Sequence, residues 1–289
     1  VRPSVVPFIT SVTCSLLSCS QSDDLIASYR GSSAAGASGG TGQAGEGAGG
    51  AGAPPCVPDD PVAVDAIAQY RFEDDPGSVE IADSAGALSA AVTGGPSAFV
   101  PGPDGCGSAF FFGDGTTQIV VPDSPLWDLD SGSIAFWFRV PDAPLGPYGL
   151  LSRDQNGTDQ PGHHAYWLAA DGTVVTRLQA EPMHATRCSA EPLGAGQWVH
   201  VGFNFGPPGT ELFVDGRLAS RLGAPGVPTI VPDCGADTPG GIAGNDLPWR
   251  LGYDSTRADA SGAGVLYHFS NGAIDELVIS RTRRNFAAP

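Results

Sequence analysis

The residues of this chain that could do chemistry are few, and their spacing separates them further. Asp275 stands in the run Gly272 to Ile279 at the parity of Leu277 and Ile279. A carboxylate on a core-facing side needs either a cation or several backbone N–H groups. His163 and His164 are adjacent, and His184 is followed by Cys188 in an H-x-x-x-C spacing. A transition metal would use such ligands, but consecutive strand residues point to opposite faces, and Cys188 is wanted for a disulfide. Trp249, Tyr253, Tyr148 and Trp127 lie in or beside segments rich in Pro and Gly. Exposed rings of this kind serve as platforms for sugars; the competing explanation is a loop packing under its own side chain. Asp114 and Asp215 each precede Gly and read as turn formers. Asn156-Gly157-Thr158 fits a glycosylation sequon, although Asn-Gly is first of all a turn. Gly36-Ala37-Ser38-Gly39-Gly40 and the run Gly47 to Gly52 imitate catalytic and nucleotide-binding loops. Neither follows a strand or opens a helix, as their mechanics demand.

Composition narrows the function classes. Of 289 residues, 41 are Gly and 26 are Pro, too many for a helical bundle. The 14 basic residues are all Arg and face 31 acids, for a formal net charge of -17. Such a surface repels phosphates and excludes nucleic acid as a partner. A P-loop would need a Lys, and the chain has none.

The chain divides into three parts. Residues 1–19 read as an export signal: Arg2, a modestly apolar stretch from Val5 to Leu17, then Leu16-Leu17-Ser18-Cys19. That box resembles a bacterial lipoprotein signal, which implies cleavage before Cys19, lipidation of its thiol, and a protein held at the cell envelope through acyl chains alone. Residues 20–61 form a linker; from Gly31 to Pro55 it is almost wholly Gly, Ala and Ser and cannot bury enough surface to order itself. Residues 62–286 form the folded domain. If Cys14 is removed and Cys19 lipidated, Cys56, Cys106, Cys188 and Cys234 remain for two disulfides, with three pairings possible. Neighbourhood along the chain favours Cys56 with Cys106 and Cys188 with Cys234.

From Val62 onward apolar residues recur at every second position in short bursts between Gly, Pro, Asn and Asp clusters. This predicts antiparallel strands near 67–72, 109–112, 118–121, 133–140, 149–152, 164–169, 173–179, 198–205, 211–214, 217–222, 250–252 and 272–279. Asp171-Gly172 and Asp215-Gly216 are placed for type I′ hairpin turns. The fold class is all-β, a sandwich or a barrel. Trp137 and Trp198 sit in alternating runs and are expected to fill the gap between packed sheets. His200 is expected as a hydrogen-bonded structural histidine. Ligand recognition is expected in the stretches 180–196 and 223–248.

Five motifs in order then carry a resemblance. They are Ala68-Gln69-Tyr70-Arg71-Phe72-Glu73 with Asp83-Ser84-Ala85-Gly86; Ala109 to Gly115 leading into Ile119-Val120-Val121-Pro122; Ser133 to Phe138; Gly196-Gln197-Trp198-Val199-His200-Val201; and Leu212 to Gly216 with Gly272 to Ile279. Across about residues 65 to 282 the chain resembles the laminin G-like branch of the concanavalin A-like lectin/glucanase superfamily. The resemblance implies a two-sheet antiparallel jelly-roll sandwich with its first and last strands adjacent. It also implies a structural calcium at the sandwich edge, for which Asp83 and Asp275 occupy the matching positions. The glucanases of the group carry an E-x-D-x-x-E or E-x-D-x-E acid pair. Here the nearest match, Ala273 to Leu277, has Ala at the leading Glu position, and strand alternation would set Asp275 and Glu276 on opposite faces. The expected function is therefore non-enzymatic binding of an extracellular glycan or protein, with a degenerate hydrolase or a purely structural surface protein as the alternatives.

Overall fold

The computed structural model describes residues 62–86, 88–103, 105, 107–142, 146–154, 161–180, 183–189, 191–207, 209–219, 240–258 and 264–286. In chain order its strands are β1 (Ala66–Tyr70), β2 (Glu80–Ile81), β3 (Ala90–Thr93), β4 (Ala98–Pro101), β5 (Ser108–Phe112), β6 (Gln118–Val121), β7 (Gly132–Arg139), β8 (Tyr148–Arg153) and β9 (His164–Leu168). There follow β10 (Val174–Ala180), β11 (Met183–Cys188), β12 (Trp198–Phe205), β13 (Glu211–Val214), β14 (Arg217–Leu218), β15 (Trp249–Leu251), β16 (Tyr253–Ala258), β17 (Gly264–His268) and β18 (Gly272–Ser280). The one helical element among the described residues is a 3-10 turn, Pro125–Trp127.

Two eight-stranded antiparallel sheets form the sandwich. The first has the order β14-β13-β12-β7-β18-β5-β4, with β1 pairing to β18, so the first and last strands are neighbours. The second runs β11-β10-β9-β8-β15-β6-β3-β2, and β16 and β17 make a separate two-stranded hairpin. The core between the sheets is aromatic: Tyr70, Phe72, Phe110, Phe112, Phe136, Phe138, Tyr166, Phe203 and Phe205 are all fully buried. Rings of this size match the spacing of about 10 Å between packed sheets.

Strands β2, β3, β4, β11, β16 and β17 are absent from the sequence expectation. β3 and β4 are short and half-exposed, so they lack a buried face to give them alternation. β11 reads Met-His-Ala-Thr-Arg-Cys and is ordered by its ladder to β10, which places a strand inside a stretch expected as a loop. The Asp215-Gly216 turn has positive φ at both residues, as type I′ requires. At Asp171-Gly172 only Gly172 has positive φ. There Ala169 and Thr173 close the turn, and Asp171 Oδ1 accepts from Thr173 N–H at 3.0 Å. A type I turn with a bulge therefore replaces the I′ turn.

Trp127 and Trp249 are fully buried and pack edge to face at 6.5 Å, with Trp127 Nε1 donating to Pro122 O at 3.1 Å. They are core residues and offer no exposed platform. Beside them Arg153, also fully buried, donates to the carbonyls of Leu247 (3.0 Å), Ile242 (2.9 Å) and Asn245 and to Asp123 Oδ1 (2.9 Å). Asn245 Nδ2 donates in return to the carbonyls of Arg153 and Gly162. One buried guanidinium thus folds the segment 240–248 onto the sandwich end; burial draws its pKa down while Asp123 opposes that shift.

Candidate site on the outer face of the first sheet

On β7, Ile134, Phe136 and Phe138 face the core, so Trp137 and Arg139 point outward; on β12, Val199, Val201 and Phe203 face inward, so Trp198, His200 and Gly202 point outward. Trp137 and Trp198 are therefore half-buried surface residues, contrary to the core role expected for both. Register pairs Trp137 with His200 and Arg139 with Trp198 on adjacent strands, placing two indoles diagonally across one ladder. The Trp137 and His200 rings lie 5.1 Å apart. Arg139 is tied to Asp142 at 3.1 Å and donates to Gly196 O. Burial lowers the His200 pKa to about 4, so the imidazole in this row is neutral at physiological pH.

Asp275 completes the row, because β18 pairs it with Trp137. It does not share a face with Leu277 and Ile279. The β7–β18 register shifts between Asp275 and Val278, and Glu276 takes a left-handed φ of 47°. The bulge leaves Ile274, Leu277 and Ile279 in the core and turns Asp275 to the outer face. The Asp275 carboxyl is 4% exposed and accepts Glu276 N–H at 2.8 Å. Burial, then the charge of Glu276 and more distantly that of Glu73, pushes its pKa up to about 8, so it carries a proton at neutral pH. Strand alternation therefore does not govern the Asp275–Glu276 pair.

The segment from Arg283 to Phe286 walls this face. Phe286 packs on Phe213 at 5.6 Å and His200 at 6.0 Å, over Gly202. Asn204 holds the tail like a strand partner, donating to Arg284 O at 2.8 Å and accepting Arg284 N–H at 2.9 Å. Arg283 reaches Glu211 at 2.9 Å, and Arg284 pairs with Asp65.

Asp83 has a different role. Its Oδ1 accepts from the N–H groups of Gln69 and Ala85, both at 2.9 Å, and its Oδ2 accepts from Leu88 N–H at 3.2 Å. The carboxylate caps the turn that follows β2 and ties it to β1. Among the described residues no three His, Cys, Asp or Glu side chains are grouped to hold a metal ion. Both oxygens of Asp83 are taken up by backbone N–H groups, and Asp275 lies in the row beside Trp137. Asp114 is a turn former, accepting from the Thr116 backbone at 2.9 Å and hydroxyl at 2.8 Å, which lowers its pKa.

The remaining expected residues scatter. Tyr148 is half-buried and meets Phe269 edge-on at 6.1 Å. Tyr253 lies on the far side of the molecule, on the hairpin of β16 and β17. His163 is buried with Nδ1 2.7 Å from Asp154, whereas His164 faces the core against Tyr166 and Phe203, its Nε2 3.0 Å from Thr176 and its pKa lowered by burial to about 3. Cys188 is buried and disulfide-bonded. Cys19, Cys56, Cys106, Cys234 and Asn156 lie outside the described residues. Trp137, Trp198 and Arg139 were missed as site residues. The signal was available in Arg139, which shares the parity of Trp137 and marks that face as outward.

Residues 113–285 match the model of the concanavalin A-like lectin/glucanases superfamily, and the chain belongs to it. The strands from Ala66 onward extend the same sandwich upstream of the matched segment. Among solved structures, domain 4 of AbnA, a GH43 extracellular arabinanase from Geobacillus stearothermophilus in complex with arabinotriose, aligns with a TM-score of 0.52 and 20% identity over 74% of this chain and 91% of that one. The botulinum neurotoxin serotype D binding domain aligns at 0.52 and 12%, over 77% of this chain and 49% of that one. A Trypanosoma rangeli sialidase in complex with 2,3-difluorosialic acid aligns at 0.51 and 12%, over 78% of this chain and 32% of that one. These likenesses are likenesses of fold. No curated protein sequence matches the chain.

Proposed function

We propose that this chain is a non-enzymatic glycan-binding module, carried on a Gly/Ala-rich tether and held at the cell envelope by a lipid on Cys19. The observation that carries the reading is the outward row of Asp275, Trp137 and His200 with Trp198 beside it. Indole faces receive the apolar side of a sugar ring, and a neutral imidazole and a protonated carboxyl supply hydrogen bonds to hydroxyls at little desolvation cost. The arabinotriose complex of the GH43 arabinanase domain lends support by precedent, since a sugar sits on a domain of the same fold. Titration of neutral oligosaccharides, arabinotriose first, tests the reading calorimetrically. Binding that is lost in Trp137→Ala and Trp198→Ala, with melting curves nearly intact, supports it. Binding unchanged in both variants, or no binding across a glycan array, overturns it.

One observation favours a second reading. A carboxylic acid protonated at neutral pH beside another carboxylate is the arrangement of a glycosidase general acid, and the bulge at Glu276 creates it here. Release of reducing sugar from polysaccharides, abolished in Asp275→Asn, would establish the hydrolase in place of the binder.

A further inference from the structure

On the opposite side of the sandwich, four half-exposed side chains converge where β15 runs into the hairpin. Gly252 makes this junction. It has a φ of 77°, and a Cβ there would collide with the ring of Phe112. Only glycine turns the chain out of the second sheet at this point, and Tyr253 is the first residue it presents. Ser152 Oγ fixes that residue by donating to Tyr253 O at 2.8 Å. The Arg250 guanidinium lies 5.3 Å from the centre of the Tyr253 ring, and its Nη1 donates to Gln118 Oε1 at 3.1 Å. The His268 ring meets Tyr253 edge-on, 5.2 Å away at 74°.

Two features of this cluster are unfinished. Arg139, Arg153, Arg283 and Arg284 each pair with a carboxylate, whereas Arg250 contacts an amide and a ring, in a chain with 31 acids to 14 arginines. A guanidinium over a tyrosine ring, with one nitrogen anchored, keeps the rest of its fork for a planar anion. In addition, His268 Nδ1 is buried without a hydrogen-bond partner among the described residues. A buried ring nitrogen left unpaired is costly, and a ligand oxygen would satisfy it.

We infer that Arg250, Tyr253, His268 and Gln118 form a second binding site, specific for a sugar that carries a carboxylate. The fork of Arg250 takes the carboxylate bidentately, Tyr253 receives the ring, and Gln118 and His268 reach neighbouring oxygens. The formal charge of -17 repels long polyanions, so the ligand is a short acidic oligosaccharide or the exposed end of a chain. This site is independent of the row at Trp137, and failure of either leaves the other standing.

The test is calorimetric titration of the whole chain with tri-galacturonic acid, its methyl ester, and galactotriose. The acid is expected to bind at least about tenfold tighter than the ester or the neutral trimer, in line with the strength of charge-assisted hydrogen bonds. Arg250→Gln is expected to erase that preference, and Arg250→Lys, which keeps the charge but not the fork, to recover only part of it. Arg217→Gln, an equal loss of charge on exposed β14, is expected to leave it intact. Equal binding of acid and ester, undiminished binding in Arg250→Gln, or no binding of the acid would each overturn the proposal. Competition by acetate or sulfate at the sugar's own concentration would show a bare anion site and overturn the sugar specificity. If Arg250→Gln does not fold, the Arg250→Lys result and the acid-to-ester ratio decide alone.

Discussion

The backbone N–H of Glu276 donates to Asp275 Oδ1 at 2.8 Å, and the bulge that makes this bond possible sets the orientation of the Asp275 carboxyl. A left-handed φ at a non-glycine residue costs about 1–2 kcal/mol. Here it keeps three apolar residues of β18 in the core while presenting Asp275 to the indole of Trp137. The same bulge brings the charge of Glu276 to bear on Asp275.

The titration of Asp275 should be visible in stability. The folded chain keeps a proton at Asp275 up to about pH 8, whereas an unfolded Asp releases it near pH 4. Between those values the folded state binds more protons, so this group lowers stability as pH rises through the window, by an amount on the order of a few kcal/mol. His164 and His200, lowered to about 3 and about 4, act in the reverse sense. Their unfolded forms take up protons below about pH 6.5, so stability also falls as pH drops from there toward 4. Maximum stability is expected near pH 6.5. Asp275→Asn should flatten the alkaline limb and steepen the acid limb, where the carboxyl of the parent opposes the two histidines, in urea midpoints measured across this range. Parallel alkaline limbs in the two proteins would refute the assignment.

Trp127, Trp249, Trp137 and Trp198 should separate into two classes on substitution. Trp127→Ala and Trp249→Ala empty fully buried volume and are expected to cost about 3–5 kcal/mol. Trp137→Ala and Trp198→Ala remove half-buried outward rings and should each cost about 1 kcal/mol or less, as surface substitutions do. Denaturant midpoints check this directly, and a large loss in Trp198→Ala would return that residue to the core.

The strands were legible wherever one face is apolar and the other polar, as in β7, β12 and β18. What alternation cannot say is which of its two faces is inward. On β7 the choice lay between Ile134-Phe136-Phe138 and Ala135-Trp137-Arg139, and indole size argued for the wrong set. The charge of Arg139 on the same parity was the better guide. Glu276 was illegible for another reason: nothing in Asp-Glu-Leu-Val announces a left-handed residue, and one inserted position reverses every parity before it. Asp83 was singled out through the resemblance alone, and the choice between a cation and backbone donors rests on loop geometry that spacing does not encode.

Calcium tests that choice. With both Asp83 oxygens already accepting backbone N–H groups, excess chelator is expected to leave the melting temperature unchanged. A rise with added calcium would reveal a native-state cation site. Asp83→Asn and Asp83→Ala, by contrast, should both destabilise in chelator, the latter more, by about 1–3 kcal/mol for the unpaired donors of Gln69, Ala85 and Leu88.

Arg153 makes a sharper prediction because its guanidinium is fully buried and holds three carbonyls of one segment. Replacing it with Met leaves the carbonyls of Ile242, Asn245 and Leu247 unpaired and Asp123 without its partner. A loss of about 3–5 kcal/mol is expected, together with faster proteolytic cleavage between residues 240 and 248. Cleavage unchanged from the parent would mean that the segment is held by Trp249 and Asn245 alone.

The tail over the outer face can be released by adding a single methyl group. Gly202 has an ordinary strand backbone, so its identity is set by space: a Cβ would stand 2.5 to 2.8 Å from three ring carbons of Phe286. Gly202→Ala is therefore expected to expel Phe286 and weaken the stack on His200 and Phe213, seen as faster proteolytic cleavage near Arg283 and Arg284 and a loss of about 1–3 kcal/mol. In the Phe286→Ala background the clash has no partner, and Gly202→Ala should then be nearly neutral. The coupling in that double-mutant cycle separates steric displacement from any intrinsic cost of alanine in β12. Additive effects would show that Phe286 does not lie on Gly202 in solution. Coupled effects would establish the tail as a wall of the Trp137 row, where its removal should also alter sugar affinity.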